Sequence, residues 1–306
     1  MQLLQCKALA DATRLRLLHL LQRNEFSVNE LMHILKMGQS RVSRHLKILT
    51  EARLLQFRRD GLWIFYTIPR EGHYREFIAE FLHYLEVTPE MQADLKEAQG
   101  VLEERVRKSQ QFFDSIAGKW DDLNREILGD FDLPTRVISA MPKQCECMAD
   151  LGCGTGSVLI AIANHAKKCI GVDSSQSMLE CCKSRIHQGD CSEAQFSLRI
   201  GELTHLPLRD HEVRFASVNL VLHHLSDPEA ALLEIYRCLE PNGRLFIADF
   251  MQHNDETMRI RYGDLRLGFS VEEIQGYLQR TGFTVIDIKR QDVLRGLTLL
   301  LIQAER

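Results

Sequence analysis

The chain has 306 residues, of which 45% are hydrophobic and 26% charged, and its formal net charge is −4. This composition excludes a disordered chain, and no apolar run reaches the ~18 residues of a membrane-spanning helix. A chain of this length suits about two domains of ordinary size.

The charge is unevenly distributed along the chain. Residues 1–70 carry twelve Lys and Arg against five Asp and Glu, whereas the remaining residues carry a net charge of −11. This asymmetry predicts a polyanionic partner for the first part only. The nine cysteines are scattered and odd in number, and the start of the chain lacks the apolar core of a signal peptide. We therefore expect free thiols, a cytoplasmic location and no membrane partner.

Residues 8–49 predict three helices joined by short turns. Apolar residues recur at helical spacing over 8–22, and Ser27 with Glu30 forms the pattern of a capping box that begins the second helix. The third helix, 39–49, has an apolar face made of Val42, Leu46 and Leu49.

The other face of the third helix is polar, and it is followed by a hairpin. Such a helix enters the major groove of DNA with its N-terminus first. The hairpin has strands over 54–59 and 62–68 around an Asp60-Gly61 turn. We predict that double-stranded operator DNA is contacted by Gln39, Ser40, Arg41, Ser43, Arg44, Lys47, Arg58 and Arg59.

Helices, turn and hairpin in this order make a winged helix-turn-helix. The run over 9–68 resembles the ArsR family of dimeric bacterial repressors, which implies a homodimer on operator DNA. Metal sensors of that family carry a cysteine pair in the helix that here reads SVNELMHIL, so His33 is a lone candidate and metal sensing is disfavoured. Arg53 stands where the family usually has glycine, and a left-handed arginine is strained.

Residues 71–110 are predicted to be helical. The aromatic-rich stretch 71–86 is a candidate dimerisation helix, because ArsR-like proteins dimerise through terminal helices. Residues 88–110 predict a charged, solvent-exposed connector that is broken or bent near Gly100. The expected parts are a DNA-binding domain at 1–70, a helical dimerisation and connector region at 71–110, and a ligand-binding domain at 111–306.

Residues 150–156 read Asp-Leu-Gly-Cys-Gly-Thr-Gly between a short apolar segment and a helical one. Closely spaced glycines let the backbone bend sharply beneath a ligand. Asp173 ends the next apolar segment, 17 residues past Gly156. That spacing is close to the ~20 residues that separate a glycine turn from a ribose-binding carboxylate. The pattern predicts a nucleotide-type cofactor site.

This glycine motif and its acidic partner resemble the first two motifs of class I S-adenosylmethionine (SAM)-dependent methyltransferases. Strands and helices alternate onward, with strands expected at 194–200, 215–222, 244–250, 283–290 and 296–303. The fold class expected is therefore an α+β winged helix-turn-helix followed by a Rossmann-like, seven-stranded α/β methyltransferase fold.

The resemblance also implies which residues hold SAM or its product, S-adenosylhomocysteine (SAH). Glu202 and Leu203 stand where the class binds adenine, and residues 111–124 resemble a helix that closes over the cofactor. An amphipathic helix packed on the sheet is an equal alternative for 111–124. The expected cofactor-binding residues are Phe113, Trp120, Asp150, Gly152, Cys153, Gly154, Thr155, Gly156, Asp173, Ser174, Met178, Glu202, Leu203, Asn219, Leu220 and His224.

His223 and His224 invite a catalytic or metal-binding interpretation. The sequence L-H-H is common at the end of the fourth strand in this superfamily, and no further ligands stand at metal-site spacing. We therefore expect no metal and assign no catalytic residue. The polar insertion 252–269 is expected to lie over the carboxyl ends of the strands as a substrate lid.

Two functions remain open at this stage. One is a repressor whose methyltransferase-like domain senses SAH or SAM, and this architecture resembles SAH-responsive ArsR-type regulators of the methionine and SAM cycle. The other is an active SAM-dependent methyltransferase acting on a small molecule, with the winged helix for dimerisation or autoregulation. Methyl transfer needs mainly proximity, so a missing base does not exclude activity. The intact DNA-reading helix and wing favour the sensor.

Overall fold

The computed structural model describes residues 2–189 and 195–306. Their contacts form two compact units, one up to Val106 and one from Arg107. The boundary falls within a single helix, so most of the predicted connector region, 71–106, lies in the first unit. Among the described residues, no helix is both long and apolar enough to cross a membrane.

The first unit is a winged helix. Its elements are α1 (Gln2–Leu9), α2 (Ala12–Leu21), β1 (Phe26–Ser27), α3 (Val28–Leu35), α4 (Gln39–Glu51), β2 (Gln56–Asp60), β3 (Trp63–Thr67) and α5 (His73–His83), followed by α6 (Pro89–Ile116). The three strands form one antiparallel sheet in the order β1-β3-β2.

The helix-turn-helix consists of α3 and α4. The predicted capping box is present, because Ser27 Oγ accepts the N–H of Glu30 while the Glu30 carboxylate accepts the N–H of Ser27 at 2.8 Å. The predicted apolar face of α4 is confirmed, since Val42, Leu46 and Leu49 have no exposed surface. Burying one face of α4 turns its polar face outward.

The wing is the hairpin of β2 and β3. Asp60 pairs with Trp63, so the two-residue loop is Gly61-Leu62 and not the predicted Asp60-Gly61. Gly61 has a φ of 57°, which a tight hairpin of this kind favours at its first loop position. Asp60 is instead buried in the hairpin.

Helices α5 and α6 complete the apolar core of the first unit. Ile78 and Leu82 of α5 and Ala98 of α6 join the leucines of the winged helix in one cluster. Helix α6 is continuous through Gly100, so of the predicted break or bend the break is absent. A glycine in a helix costs only about 1 kcal/mol, which the packing of a long helix offsets.

Arg53 ends the recognition helix in the left-handed conformation, with a φ of 58°. The N–H of Arg53 donates to the carbonyl of Thr50, and the N–H of Leu54 donates to the carbonyl of Leu49. The chain therefore reverses direction at a position where glycine is usual.

We expect Arg53→Gly to raise the free energy of unfolding of the first unit by about 0.5–1 kcal/mol, because it relieves backbone strain. Denaturant titration followed by Trp63 emission measures this, with Arg53→Ala as a control that keeps the β-carbon. A loss of stability in the glycine variant would show that guanidinium contacts outweigh the strain.

The second unit is a seven-stranded sheet with helices on both faces. After α7 (Trp120–Leu128) and α8 (Leu133–Ala140), its elements are β4 (Cys147–Leu151), α9 (Ser157–Ala161), β5 (Lys168–Asp173), α10 (Gln176–Gln188), β6 (Phe196–Ile200), β7 (Val213–Asn219), α11 (Pro228–Cys238), β8 (Leu239–Phe250), α12 (Thr257–Arg261), α13 (Val271–Arg280), β9 (Thr284–Asp292) and β10 (Thr298–Glu305). The order β6-β5-β4-β7-β8-β10-β9, with only β10 antiparallel to its neighbours, confirms the predicted fold class.

Two strand boundaries differ from prediction for a local reason. The fourth strand of the parallel part, β7, ends at Asn219 because Leu220 adopts a left-handed φ of 57° and a 3-10 turn follows. The next strand, β8, begins at Leu239 and not at the predicted residue 244, and Asn242 within it has a φ of 59°. Ala194, the predicted start of the third strand, lies outside the described residues.

The sheet separates two apolar cores. Neighbouring residues of one strand alternate between them: Met148 lies in one cluster and Ala149 in the other, as do Phe246 and Ile247. Strand β4 has β5 on one side and β7 on the other, so the strand order reverses there. Ligands of open α/β sheets bind at the carboxyl ends of the strands beside such a reversal, and the glycine turn follows β4 directly.

Candidate functional site

The exposed face of α4 is the candidate DNA-reading surface. Gly38 occupies the N-cap position and supplies no side-chain acceptor, which leaves N–H groups of the first turn available to a phosphate. Lys47 Nζ lies 3.8 Å from the carboxylate of Glu51 on the same helix. All six predicted side chains are exposed: Gln39, Ser40, Arg41, Ser43, Arg44 and Lys47.

The two predicted wing arginines have different environments. The side chain of Arg58 is 18% exposed, lies 2.6 Å from the Glu25 carboxylate and also pairs with Asp60. Its guanidinium stacks over Phe65 at 4.9 Å. Arg58 therefore stabilises the hairpin from within, whereas Arg59 is exposed.

The glycine turn between β4 and α9 is left-handed at Gly152, Gly154 and Gly156, with φ of 74°, 51° and 80°. Packing forbids side chains at both ends of it. A β-carbon on Gly152 would lie 2.4 Å from Val221, and one on Gly156 would lie 2.3 Å from Cys182 Sγ. The fold itself therefore requires these two glycines.

Gly154, at the centre of the turn, is different. A β-carbon there would lie 3.4 Å from Trp120 Nε1 and 4.0 Å from Met178 Sδ, which are ordinary contact distances. The thiol of Cys153 is buried, and a hydrogen bond with Cys182 together with burial raises its pKa. The thiol thus remains protonated and packed in the core, and ligand contacts from Cys153 fall to its backbone.

Asp173 ends β5 beside the glycine turn. Its carboxylate accepts the N–H of Gly154 at 2.8 Å and that of Ser175 at 2.9 Å, and the N–H of Ser174 also contributes. Burial raises the pKa of Asp173, although these backbone donors oppose the shift. A carboxylate has about four lone-pair sites, so about one remains after these three donors to accept a hydrogen bond from a ligand hydroxyl.

The segment after Arg107 covers the turn. The ring of Phe113 meets Trp120 edge-on at 5.4 Å and His224 edge-on at 4.8 Å. Thr155 Oγ1 donates to the carboxylate of Asp121 at 2.7 Å. Phe113 and Trp120 therefore lie beside the glycine turn that contains Thr155.

Two contacts of this segment were not foreseen from the sequence. Ser175 Oγ donates to Asp114 at 2.6 Å, and Arg185 forms an ion pair with Asp121. Both join residues more than sixty positions apart, and the partners carry no local motif. They attach the covering segment to helix α10, which follows β5.

The predicted adenine residues follow β6. The N–H of Gly201 donates to the carbonyl of Asp173 at 3.0 Å, which places the next residue, Glu202, beside the end of β5. Glu202 is exposed, whereas Leu203 is only 5% exposed. An exposed carboxylate can accept a hydrogen bond from the amino group of a ring, and an adjacent apolar side chain can pack against the face of that ring.

Asp150 is turned towards the neighbouring strand. Its carboxylate accepts Ser217 Oγ at 2.7 Å and Asn219 Nδ2 at 3.1 Å, so it positions the end of β7. Leu220 follows in the left-handed conformation, with its N–H donating to the carbonyl of Ala248. A strained non-glycine residue beside a turn of this kind is typical of functional sites.

Burial raises the pKa of Asp150 to about 6, despite its hydrogen bonds from Ser217 and Asn219. The folded state thus binds this proton more tightly than the unfolded state, whose pKa is about 3.9. The contribution to stability is present at low pH and is lost as pH rises from about 3 to 7, by about 3 kcal/mol. The asparagine of Asp150→Asn does not titrate, so only the native chain loses this stability. We therefore expect the free energy of unfolding of the variant, relative to that of the native chain, to increase by the same amount over the same pH interval.

Denaturant unfolding of the second unit, followed by Trp120 emission in a Trp63→Phe background, measures the difference. The exposed Asp130→Asn variant corrects for the change in net charge. A difference curve that stays flat for Asp150→Asn would contradict the prediction.

The structure corrects our prediction that the His223-His224 pair lacks further ligands. Asp264, from the polar insertion 252–269, lies with both histidines in a cluster whose potential ligand atoms are within 4.8 Å of one another. Burial lowers the pKa of His223, but the carboxylates of Asp249 and Asp264 outweigh it and raise the pKa overall. Burial and the charge of His223 lower the pKa of His224.

Known protein families match both units. A model described as "Bacterial regulatory protein, arsR family" matches residues 11–56, and one described as "Methyltransferase domain" matches residues 149–247. The demethylmenaquinone methyltransferase of Chlamydia caviae is 35% identical over 48% of this chain and 63% of its own length. The O-methyltransferase cnsE of Penicillium expansum is 27% identical over 56% of this chain and 65% of its own length. The chain thus spans less than two thirds of these relatives.

Solved structures share the fold of the second unit. The [4+2]-cyclase SpnF superposes with a TM-score of 0.56 at 16% identity, covering 64% of this chain and 94% of its own. Geranyl diphosphate C-methyltransferase from Streptomyces coelicolor, in complex with Mg²⁺, geranyl diphosphate and SAH, gives a TM-score of 0.51 at 13% identity, covering 56% and 78%. At these identities the likeness concerns the fold alone.

The family matches carry general functional implications. An ArsR-type helix-turn-helix implies DNA binding, and a methyltransferase domain of this class implies binding of SAM or SAH. The chain thus carries an ArsR-family helix-turn-helix at residues 11–56 fused to a class I SAM-dependent methyltransferase domain that includes residues 149–247.

Proposed function

We propose that this protein is a dimeric transcriptional repressor whose methyltransferase domain binds SAH or SAM as an effector. It would act on operator DNA in the cytoplasm and control genes of the methionine and SAM cycle. The observation that carries this proposal is helix α6, a single continuous helix of 28 residues. Its first part contacts the helix-turn-helix, and its last residues contact the candidate ligand site.

The first part of α6 contacts the start of the helix-turn-helix. The guanidinium of Arg105 binds both carboxylate oxygens of Glu30, at 2.8 and 2.7 Å, and lies 5.5 Å from the ring of Phe26. Glu30 is the second member of the capping box that begins α3. A shift of α6 would therefore act directly on the helix that packs against the recognition helix.

A second contact joins the same part of α6 to α2. Arg16 donates to both carboxylate oxygens of Asp94 at 2.6 Å, and Asp94 is only 3% exposed. Bidentate arginine–carboxylate pairs fix geometry as well as supplying energy. The two arginine–carboxylate pairs thus fix the first part of α6 to the rest of the first unit at two points.

The last turns of α6 carry Phe113 and Asp114. Phe113 contacts His224, and Asp114 accepts a hydrogen bond from Ser175, whose N–H in turn donates to Asp173. A ligand that contacts Asp173 or Phe113 would thus meet the last turns of the helix whose Arg105 binds Glu30. Linkage requires only that the ligand bind the DNA-competent and DNA-incompetent states with different affinity.

The chemistry of the site suits SAM or SAH. Asp173 would hold the ribose, Glu202 and Leu203 the adenine, and the backbone around Gly154 the remainder. Among the described residues, Asn219 Oδ1 and His224 Nε2 are buried without a hydrogen-bond partner, so polar groups of a ligand would satisfy them. Phe113 and Trp120 favour discrimination at sulfur, because aromatic rings attract a sulfonium cation more than a neutral thioether.

Dimerisation is proposed from the ArsR resemblance and from exposed apolar side chains of the first unit. Leu3 and Leu4 on α1 are 67% and 50% exposed, and Tyr84, directly after α5, is 78% exposed. Apolar side chains on terminal helices are suited to pairing two copies. Two recognition helices would then meet half-sites about one DNA turn apart.

A second candidate function is methyl transfer to a small molecule. The 35% identity to a demethylmenaquinone methyltransferase favours it. Because positioning supplies most of the rate of methyl transfer to a good nucleophile, the site needs no dedicated base for this chemistry.

Calorimetry with SAM and SAH, followed by DNA-binding assays, tests the proposal. The probe is the best duplex selected from a random pool by the unliganded protein. We expect SAH or SAM to change DNA affinity by about 5–150-fold, the usual size of allosteric coupling. The sensor proposal fails if neither ligand alters DNA affinity while a small molecule is methylated at ordinary turnover.

A further inference from the structure

We propose that His223, His224 and Asp264 form a binding site for one divalent transition metal ion, of the Zn²⁺ or Fe²⁺ class. This inference is independent of the proposed regulatory function. Two imidazoles and one carboxylate are the ligands of metal sites that keep open coordination positions. Among the described residues, these three side chains are the group of histidine, cysteine or acidic residues whose ligand atoms converge closely enough.

The distances between the two histidine nitrogens and the Asp264 carboxylate suit ligands of a single ion. His223 Nε2 lies 3.6 Å from the Asp264 carboxylate, and His224 Nδ1 lies 4.0 Å from the same oxygen. Two ligands about 2.1 Å from a tetrahedral ion are about 3.4 Å apart. These two pairs therefore need to close by about 0.2 and 0.6 Å around an ion, and the cluster as a whole spans no more than 4.8 Å, so the remaining movement falls to the two imidazole rings. A separation of 3.6 Å is too long for a hydrogen bond.

A carboxylate behind the first histidine orients it for metal binding. His223 Nδ1 is 2.7 Å from Asp249 Oδ1, so its N–H is donated there and Nε2 is directed at Asp264. Histidines that bind metals almost always donate their other N–H to such an acceptor. The contact of His224 Nδ1 with the carbonyl of Gly263 is long, at 3.3 Å, and is easily exchanged for a metal bond.

Charge and burial also favour a cation. His223, Asp249 and Asp264 are at most 3% exposed, and His224 is 8% exposed. The charges of two carboxylates beside the imidazoles are balanced by one divalent ion. The four side chains come from the end of β7, from β8 and from the insertion 252–269, so folding alone assembles them.

The test uses the full-length chain, stripped with a chelator and titrated with Zn²⁺ in a calorimeter and with Co²⁺ in a spectrometer. We expect one ion per chain and a Co²⁺ spectrum of nitrogen and oxygen ligands, without the thiolate charge-transfer band that the free cysteines would produce. Asp264→Ala should abolish this binding. Asp249→Asn should weaken it by about 10–100-fold and serves if the alanine variant does not fold.

His33→Ala is the matched control, because His33 is an exposed histidine on α3 of the first unit. It should leave Zn²⁺ affinity unchanged. Binding that persists in both aspartate variants, or a thiolate spectrum, would overturn the site. So would the absence of stoichiometric binding of both ions, which would leave His223 as a charged partner of the two carboxylates.

Discussion

Replacement of Gly154 by arginine is expected to lower the affinity for SAM and SAH by at least about 100-fold while leaving unliganded DNA binding unchanged. The reason lies in the glycine turn. A β-carbon at Gly154 would meet only Trp120 and Met178, at 3.4 Å or more, so a longer side chain extends into the proposed ligand space. Isothermal titration with each ligand, and DNA titration with and without ligand, measure both effects.

Gly296→Arg is the matched control for this variant. Gly296 lies in the second unit and also has a positive φ, of 70°, and a β-carbon added there would have no described atom within 4 Å. The same change at this position carries similar backbone strain but should leave ligand binding intact. Gly154→Ala, whose β-carbon makes only ordinary contacts, should have an intermediate effect. Full SAH affinity in Gly154→Arg would place the ligand away from this turn.

The double variant Arg41→Ala, Arg44→Ala is expected to weaken binding to the selected duplex by about 100-fold or more. Both side chains are exposed on α4, whose opposite face is fixed in the core by Val42, Leu46 and Leu49. A base contact by arginine is worth about 1–3 kcal/mol, and each lost phosphate contact lowers the salt dependence by about one counterion. Titrations at several salt concentrations separate the two kinds of contact.

Lys289→Ala, Arg290→Ala is the control, because it removes the same charge from exposed positions of β9 in the second unit. We expect the control to bind DNA as the native chain does, and both double variants to bind SAH normally. An equal loss of DNA affinity in the two double variants would mean that net charge, and not α4, governs binding. Normal DNA affinity in the α4 variant would contradict the proposed DNA-reading surface.

The structural predictions that concern neighbouring residues are confirmed. Ser27 caps α3, the apolar face of α4 is buried, and the glycines after β4 turn the chain. Capping boxes, helical periodicity and glycine turns are written within a few residues, so a single sequence contains them. The role of each glycine was not predictable, because Val221 and Cys182 approach two of them from elsewhere in the fold.

Predictions about residues whose partners are far away in the sequence missed those partners. Arg58 was assigned to DNA with Arg59, but Glu25 and Asp60 hold its guanidinium in the hairpin. The lack of a third ligand beside His223 and His224 was inferred from spacing, yet the chain returns with Asp264 forty residues later. Spacing rules describe sites on one local element and do not extend to sites assembled by a sheet.

The sequence by itself determined the winged helix-turn-helix, the seven-stranded fold, the exposed polar face of α4 and the glycine turn. Each of these follows from a repeat of two or 3.6 residues, or from a turn residue. Only the tertiary structure decided that α6 is continuous and contacts Glu30. The same holds for the hydrogen bond from Ser217 of β7 to Asp150, and for the position of His223 between Asp249 and Asp264. The physical reason is that these contacts depend on strand order and loop closure, which bring together side chains with no common local pattern.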